Sequence, residues 1–410
     1  MTFEPDLTVL TGDNATGKTT LLDAIACAIS APLERFPYAK SKQLKGSDVR
    51  ESVTALGSSF DKQVHFPATV SAVGVFDGEE CSWSRSLNSV KQSRMTVADA
   101  KSILARSENM QGRVAQGDSD VVLPLIALYG TNRLHGGNAT RSLTPARGSS
   151  RAMGYEQCVS AGIDERGLYA WFEKVTLWEL QNRKESPELA AVKKAIASCL
   201  PPVGGNVEAT VDYDLERREL VLAYMDVQGA YRRDSLHSMS DGYRGALSLV
   251  ADIARRMAML NPMLLDRVLE TPGIVLIDEI DLHLHPLWQA RILGDLRSTF
   301  PNIQFIVSTH APAVVSSVRS SHIRLLDSEH AWMPSEETYG RDMNAIVDIV
   351  MKSSKRPAVI HELFEEFYVL LDKEQFDRAE SALDEIERQI GSSDTELVAA
   401  RTALALERDL

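Results

Sequence analysis

Apolar and polar positions along the chain fall into distinct rhythms. Continuous apolar runs occur at Leu7–Thr11, at Gly273–Ile277 and at Ile303, Phe305, Ile306 and Val307. Runs of this kind predict strands of a parallel sheet covered on both faces. Helical spacing appears at Leu21, Leu22, Ile25, Ala26 and Ile29, stopped by Pro32. It returns over 165–200, with Trp171, Phe172, Val175, Leu177 and Leu180 at apolar positions. Two strand runs, Ala68–Phe76 and Cys81–Arg85, flank Asp77-Gly78, which predicts a hairpin. The hydrophilic stretches 107–120 and 136–152, rich in Gly, Ser and Arg, are predicted as loops. No heptad pattern lasts three repeats, so a long coiled-coil arm is not expected.

The last 70 residues, 341–410, are predicted to be all helical. One stripe is Met343, Ile346, Val347, Val350 and Met351; a second is Val359, Ile360, Leu363, Phe364, Phe367, Leu370 and Leu371. A third, Phe376, Ala379, Leu383, Ile386 and Ile390, is closed by Gly391, and a final helix is expected to start at Ser393 or Asp394. Stripes of this kind usually pack against one another. They also make this region the best place for a partner protein to dock.

Composition narrows the class. The chain has 410 residues, 44% hydrophobic and 25% charged, as an ordinary globular protein does. Nowhere do about 18 apolar residues follow one another, so no membrane partner is expected. Met1–Thr11 is acidic and strand-like, unlike a secretory leader. Cys27, Cys81, Cys158 and Cys199 stand singly, which predicts reduced, buried thiols of a cytoplasmic protein rather than a disulfide or zinc framework. The net charge of −13 argues against a surface that coats DNA, though a local basic path is compatible with it. Two clusters, Lys40, Lys42, Lys45 and Arg50, and Lys91, Arg94, Lys101 and Arg106, are read as solvated faces because no aromatic residues interleave them.

The strongest chemical signal follows the first strand. Gly12-Asp13-Asn14-Ala15-Thr16-Gly17-Lys18-Thr19, continued by Thr20, has the GxxxxGK[ST] form in a strand–loop–helix context. Gly12 and Gly17 allow successive backbone N–H groups, from Asn14, Ala15 and Thr16 onward to Thr20, to turn around phosphates at a helix N-terminus. Lys18 is placed for the β- and γ-phosphates of ATP, and Thr19 offers a hydroxyl to Mg²⁺.

The run at 273–277 ends in Asp278 and Glu279. Asp278 is a candidate to hold Mg²⁺, and Glu279 to polarise the water that attacks the γ-phosphate. The run at 303–307 leads into Ser308-Thr309-His310, putting His310 at a strand tip where open α/β sheets bind ligands. Between them, His283-Leu284-His285-Pro286 offers two metal-type ligands but no third at suitable spacing, and is read as a turn opening a helix. Asp281 lies where a second subunit can approach. Upstream, Ser238-Met239-Ser240-Asp241-Gly242-Tyr243-Arg244 precedes a helix expected over Ala246–Leu260. Ser240 suits a helix cap and Gly242 close backbone approach, which makes a second anion-binding helix start. One nucleotide does not easily contact two such starts in one protomer, whereas two protomers facing each other solve the problem.

The ordered set 12–19, 238–245, 274–286 and 308–312 resembles the ABC-type ATPases of the SMC/RecF branch, including the OLD-like ATPases. The resemblance implies an α/β, ABC-type P-loop NTPase head with β-hairpin and helical insertions. It also implies that Ser240 and Gly242 belong to a loop reaching across the dimer, and that Glu279, Asp281 and His310 match the catalytic glutamate, the aspartate of the dimer contact and the switch histidine. A narrower resemblance, carried by Ala127–Leu134, the Trp171 region and Arg356-Pro357, is to the ATP-binding proteins of Septu and retron-associated anti-phage systems. In those systems the ATPase works with an HNH endonuclease. Two departures stand out. The family usually has a further strand before the phosphate-loop strand, and no glutamine sits at the usual Q-loop position, for which Tyr129–Arg133 is the candidate replacement.

The expected organisation is a split head, 1–32 and 206–330, an insertion at 33–205 with antiparallel strands then helices, and a helical partner-binding region at 341–410. The leading functional expectation is a homo-oligomeric, Mg²⁺-dependent ATPase that regulates a partner nuclease, since this chain carries no nuclease motif. The alternative is a RecF-like repair ATPase that binds DNA directly; a transporter subunit is disfavoured.

Overall fold

The computed structural model describes the chain except residues 57–58, 93, 134–149, 200–208, 227, 328–329, 351–355 and 409–410. Leu134, Met351, positions 136–149 of the second expected loop and the start of the second head segment at 206 therefore lie outside the described residues. The chain divides into two compact units, Met1–Gly340 and Arg341–Leu410.

The first unit is organised by a six-stranded sheet. Five parallel strands lie side by side in the order Ile323–Leu326, Leu7–Thr11, Ile303–Ser308, Gly273–Ile277 and Leu125–Tyr129; Ala331–Trp332 adds an antiparallel edge. Leu7, Val9, Leu10, Val275, Ile277, Phe305 and Val307 are fully buried, as strands covered on both faces require. The helix Lys18–Ile29 follows the first strand. The strand Leu125–Tyr129 lies inside the stretch expected as an insertion, yet it pairs with Gly273–Ile277 in register and completes the head sheet. The head sheet therefore draws on a third stretch of sequence, the fully buried LIALY run beside the carboxylate strand.

The insertion supplies two hairpins. Glu51–Leu56 pairs with Ser59–Val64, and Ala68–Phe76 with Glu79–Leu87 around Asp77-Gly78. From the second hairpin, Trp83 Nε1 and Arg85 Nη1 each donate at 2.9 Å to the carbonyls of Ala28 and Cys27. Two open carbonyls at the end of the phosphate-loop helix are thus satisfied. A three-stranded antiparallel sheet, Thr210–Asp214, Glu219–Met225 and Tyr231–Ser235, leads into the helix Asp241–Leu260.

Three local expectations are corrected. Residues 107–115 are not loop but the end of the helix Lys101–Ala115, whose Ile103, Leu104, Ser107 and Met110 are buried on one face. In the helix Glu165–Asn182 only Leu168 and Phe172 are buried; Leu177 and Leu180 are exposed, because the helix packs along a stripe at its N-terminal half. The helix expected from Ala246 starts at Asp241, directly after Ser240. The four cysteines are buried and unpaired, and no helix among the described residues is long and apolar enough to cross a membrane.

The second unit comprises the helices Met343–Ile349, Ala358–Asp372, Phe376–Ile390 and Thr395–Arg408. Phe364, Phe367, Leu383, Ile386 and Leu397 form its core. Asp394 opens the last helix by accepting from the amides of Glu396 and Leu397 at 3.0 and 3.1 Å.

Candidate functional site

The sheet order brings three strand ends together. Leu7–Thr11 runs into the glycine loop, Gly273–Ile277 into Asp278-Glu279, and Ile303–Ser308, lying between them, into Thr309-His310. The Thr309 amide donates to the Leu10 carbonyl at 3.0 Å, so the histidine segment leaves the sheet directly beside the loop.

The loop is shaped by sterics. A Cβ on Gly12 would lie 2.4 Å from the Leu326 carbonyl oxygen, so only glycine lets the chain pass the neighbouring strand. Ala15 holds a left-handed backbone (φ 65°), uncommon for a residue with a side chain and a mark of a loop constrained for a purpose. The helix behind it starts at Lys18 with no side chain capping it, which leaves its first amides directed at the loop. Lys18 is buried, and its Nζ donates to the carbonyls of Gly12 and Asp13 at 2.9 and 2.7 Å. Burial pulls its ammonium below the usual lysine range, against the opposing pull of Asp13, Asp278 and Glu279. Asn14, Ala15, Thr19 and Thr20 are exposed around it, and Thr16 donates to the Asp13 carbonyl at 2.9 Å.

A chain of hydrogen bonds crosses the strand ends. Thr19 Oγ1 donates to Asp278 Oδ2 at 2.8 Å, Ser308 Oγ donates to Asp278 Oδ1 at 2.5 Å, and the same Ser308 oxygen accepts from the Glu279 amide at 2.8 Å. Thr309 Oγ1 donates to Asp281 Oδ1 at 2.6 Å. His310 is half-buried at the tip of its strand. The donor set suits the groups the motif implies: converging amides and an ammonium for a triphosphate, and a hydroxyl oxygen beside a carboxylate oxygen for Mg²⁺, a cation that takes oxygen ligands and keeps several waters. No three His, Cys, Asp or Glu side chains converge as a metal cluster among the described residues. His285 serves as a cap, accepting from the Leu287 amide at the start of the helix Pro286–Gln289.

Ser240 and Gly242 lie elsewhere. Ser240 is exposed and its hydroxyl makes no capping bond. Gly242 is buried against its own chain: a Cβ there would sit 2.2 Å from the His283 carbonyl oxygen. Tyr243 packs on Trp288, with ring centroids 4.8 Å apart. The start of this helix is thus seated on the turn that follows Glu279. No hydrogen bond joins Ser240 or Gly242 to the phosphate loop of the same chain among the described residues.

Two groups escaped the reading of the residues one at a time. Asp252, fully buried in the helix Asp241–Leu260, accepts from Tyr129 Oη at 2.9 Å, from Arg255 at 2.5 Å and from Arg256 at 2.7 Å. Arg256 also donates to the carbonyls of Gly154 and Glu156, each at 2.8 Å. Arg133, from the segment considered for the Q-loop position, donates to the carbonyls of Asp278 and Glu279. The i, i+3 and i, i+4 spacing of Asp252 to Arg255 and Arg256 was visible in the sequence; their partners across the fold were not.

The parallel sheet, the phosphate loop and the carboxylate strand end are those of a P-loop nucleotide-binding head, and the motif set resembles the ABC-type ATPases of the SMC/RecF/OLD-like branch. The family model described as "AAA domain" matches residues 1–199, and the one described as "AAA domain, putative AbiEii toxin, Type IV TA system" matches 207–316. Among curated proteins the chain is similar to the Retron Vc95 probable ATPase of Vibrio cholerae serotype O1 biovar El Tor, 45% identical over 30% of this chain and 25% of that one. It is similar also to the Retron Ec83 probable ATPase of Escherichia coli, 42% identical over 30% of this chain and 22% of the relative. The Septu protein PtuA of Bacillus mycoides is 32% identical over 44% of this chain and 24% of the relative. The similarity thus spans about a quarter of each relative's length. Among solved structures, an SMC head bound to the C-terminal winged-helix domain of ScpA aligns over 81% of this chain and 91% of that one, at 16% identity and a TM-score of 0.42.

Proposed function

We propose that this chain is a Mg²⁺-dependent ATPase that closes head to tail with a second copy around ATP, and so regulates a partner nuclease in anti-phage defence. The observation that carries the reading is the division of the motifs within one chain. Lys18, Thr19, Asp278 and Glu279 gather at the ends of the two strands that flank Ile303–Ser308, while Ser240 faces outward with its hydroxyl uncommitted.

In this reading the loop amides from Asn14 to Thr20 and the Lys18 ammonium, exchanging its two carbonyl partners for phosphate oxygens, hold the triphosphate. Mg²⁺, when bound, neutralises charge on the phosphate oxygens; Thr19 and Asp278 would hold it. Glu279 accepts a hydrogen bond from the attacking water as its oxygen bonds to the γ-phosphorus and the bond to the bridging oxygen of ADP breaks, the water's proton passing to Glu279 or to the phosphate product. His310 hydrogen-bonds the γ-phosphate. Ser240 and Gly242 of the second copy, with Asp281, complete the far side of the nucleotide. ATP favours the closed pair only by its greater affinity for that state.

The naming of relatives after retron and Septu systems supports the defence role, and an HNH-type endonuclease docking on 341–410 is the partner this reading expects. Two variants test the site. In Lys18→Ala, ATP affinity should fall at least tenfold by equilibrium binding; unchanged affinity removes the phosphate-loop assignment. Glu279→Gln should bind ATP normally while turnover collapses, and normal turnover removes the base. Tagged native protein should bring down a nuclease. Tight, salt-sensitive DNA binding with no co-purifying nuclease would instead favour a RecF-like role.

A further inference from the structure

Glu279 holds a left-handed backbone (φ 46°), directly after the strand that carries Asp278. A residue with a side chain in that region costs about 1 kcal/mol or more and persists only where its surroundings impose it. The hydrogen bonds around the turn identify what imposes it. The Asp278 amide donates to the Tyr129 carbonyl at 2.7 Å, the Glu279 amide to Ser308 Oγ at 2.8 Å and the Ile280 amide to the Ser308 carbonyl at 3.0 Å. Both carbonyls accept from one side chain: Arg133 Nη1 donates to the Asp278 oxygen at 2.8 Å and Nη2 to the Glu279 oxygen at 3.1 Å, the second oxygen also accepting from the Leu282 amide at 3.0 Å.

Arg133 is 5% exposed, and no carboxylate among the described residues lies within ion-pair distance of it. Its charge is offset at longer range by Asp281, Glu279 and Asp278, though burial still draws its proton affinity below the usual arginine range. A buried guanidinium spent on peptide oxygens, with a longer contact to the Gly130 carbonyl at 3.4 Å beside the two at the turn, is costly unless the planar fork does what a single donor cannot. Two nitrogens at fixed separation fix two consecutive peptide planes, and those planes set the direction in which the Glu279 side chain leaves the backbone. The segment is itself anchored, by the Ile163 amide on the Arg133 carbonyl at 2.9 Å and the Gly130 amide on the Ala161 carbonyl at 2.7 Å. Gly130, Thr131 and Asn132 wall the cleft that also reaches Thr19 and Asp278.

We propose that Arg133 is a positioning residue for hydrolysis: its guanidinium clamps the left-handed turn at Asp278–Glu279 and aims the Glu279 carboxylate at the attacking water. This rests on Glu279 being the base. In this role Arg133 acts through the turn, by its bonds to the Asp278 and Glu279 carbonyls.

The test measures ATP affinity with a fluorescent analogue and single-turnover hydrolysis in the full chain, for Arg133→Met, Arg133→Lys, Glu279→Gln and the double variant Arg133→Met/Glu279→Gln. Misplacing a catalytic group by an ångström costs on the order of 10- to 100-fold in rate. Arg133→Met should lose that much hydrolysis while its affinity stays within about threefold. Arg133→Lys, with a point charge in place of a fork, should recover part of the loss. In the Glu279→Gln background, Arg133→Met should change the residual rate less than about twofold, because the two act as one unit. The proposal is overturned if Arg133→Met hydrolyses at the wild-type rate, if affinity falls in step with rate, or if its effect is as large without Glu279 as with it. If Arg133→Met does not fold, Arg133→Lys decides, and full activity there is fatal. Normal turnover in Glu279→Gln removes the base assignment and this inference with it; a dead Glu279→Gln beside an active Arg133→Met removes only the inference.

Discussion

Replacing Asp252 by asparagine removes the negative charge from a site where two arginines and a tyrosine converge. Asp252 has no exposed surface, Arg256 is 1% exposed, and the three donors reach the carboxylate at 2.5 to 2.9 Å. Asparagine keeps one acceptor oxygen but turns an amide NH₂ toward a guanidinium, leaving the positive charges uncompensated. Breaking a buried ion pair from one side costs about 3–5 kcal/mol. Titration supplies a second measure of the same interaction. Burial alone would raise the Asp252 carboxyl, but Arg256 and Arg255 outweigh it and hold it at about 2, against an ordinary 3.8. That difference corresponds to about 2 kcal/mol of stability favouring the folded state. Because the folded value is the lower one, the contribution is complete above pH 4 and disappears as pH falls toward 2. The assay is urea unfolding followed by tryptophan fluorescence, which reports on the first unit alone because Trp83, Trp171, Trp178, Trp288 and Trp332 all precede residue 341. Asp252→Asn should lose about 3 kcal/mol at pH 7, and its deficit against wild type should shrink on acidification below pH 4. A loss under about 1 kcal/mol, or a deficit independent of pH, would refute the reasoning.

Two further substitutions probe the frame around the site. Gly242→Ala forces a methyl to 2.2 Å from the His283 carbonyl oxygen, so the helix start must move off the turn. The expected loss is about 1–3 kcal/mol in urea unfolding of the nucleotide-free protein; an unchanged midpoint would contradict the packing. Arg85→Met removes bonds to the Cys27 and Lys42 carbonyls at 2.9 and 3.1 Å and to Glu34 at 2.6 Å. Orphaning buried carbonyls at the end of the phosphate-loop helix should cost about 3 kcal/mol, part of it recovered in Arg85→Lys, again read by unfolding.

What was legible in the sequence was local. The phosphate loop, the apolar run ending in Asp278-Glu279 and the Asp77-Gly78 turn each carry their chemistry within a few residues, and the structure has these strands and this turn where the pattern predicts them. The Asp241–Leu260 helix was misjudged only at its start, since Gly242 and Tyr243 are poor helix signals until the packing on His283 and Trp288 is known. Residues 107–115 look like loop in composition because a helix with one buried stripe and Gly112 is mostly polar, whereas 116–120 lie beyond the helix as the composition predicts. Nothing local indicates that Leu125–Tyr129 joins a strand nearly 150 residues later, or that Arg133 then meets the Asp278 and Glu279 carbonyls; those contacts exist only once the sheet forms. Leu177 and Leu180, apolar yet exposed, show the converse, that apolar spacing alone does not say which half of a helix is covered.

The central claim is that two copies share each nucleotide through Lys18 of one and Ser240 of the other. Sedimentation velocity on Glu279→Gln with Mg²⁺ and ATP, with and without the added substitution Ser240→Arg, tests it most directly. The expected result is an ATP-dependent dimer that Ser240→Arg abolishes while ATP binding survives. A protein that stays monomeric at saturating ATP, or dimerises equally well with arginine at 240, would contradict it.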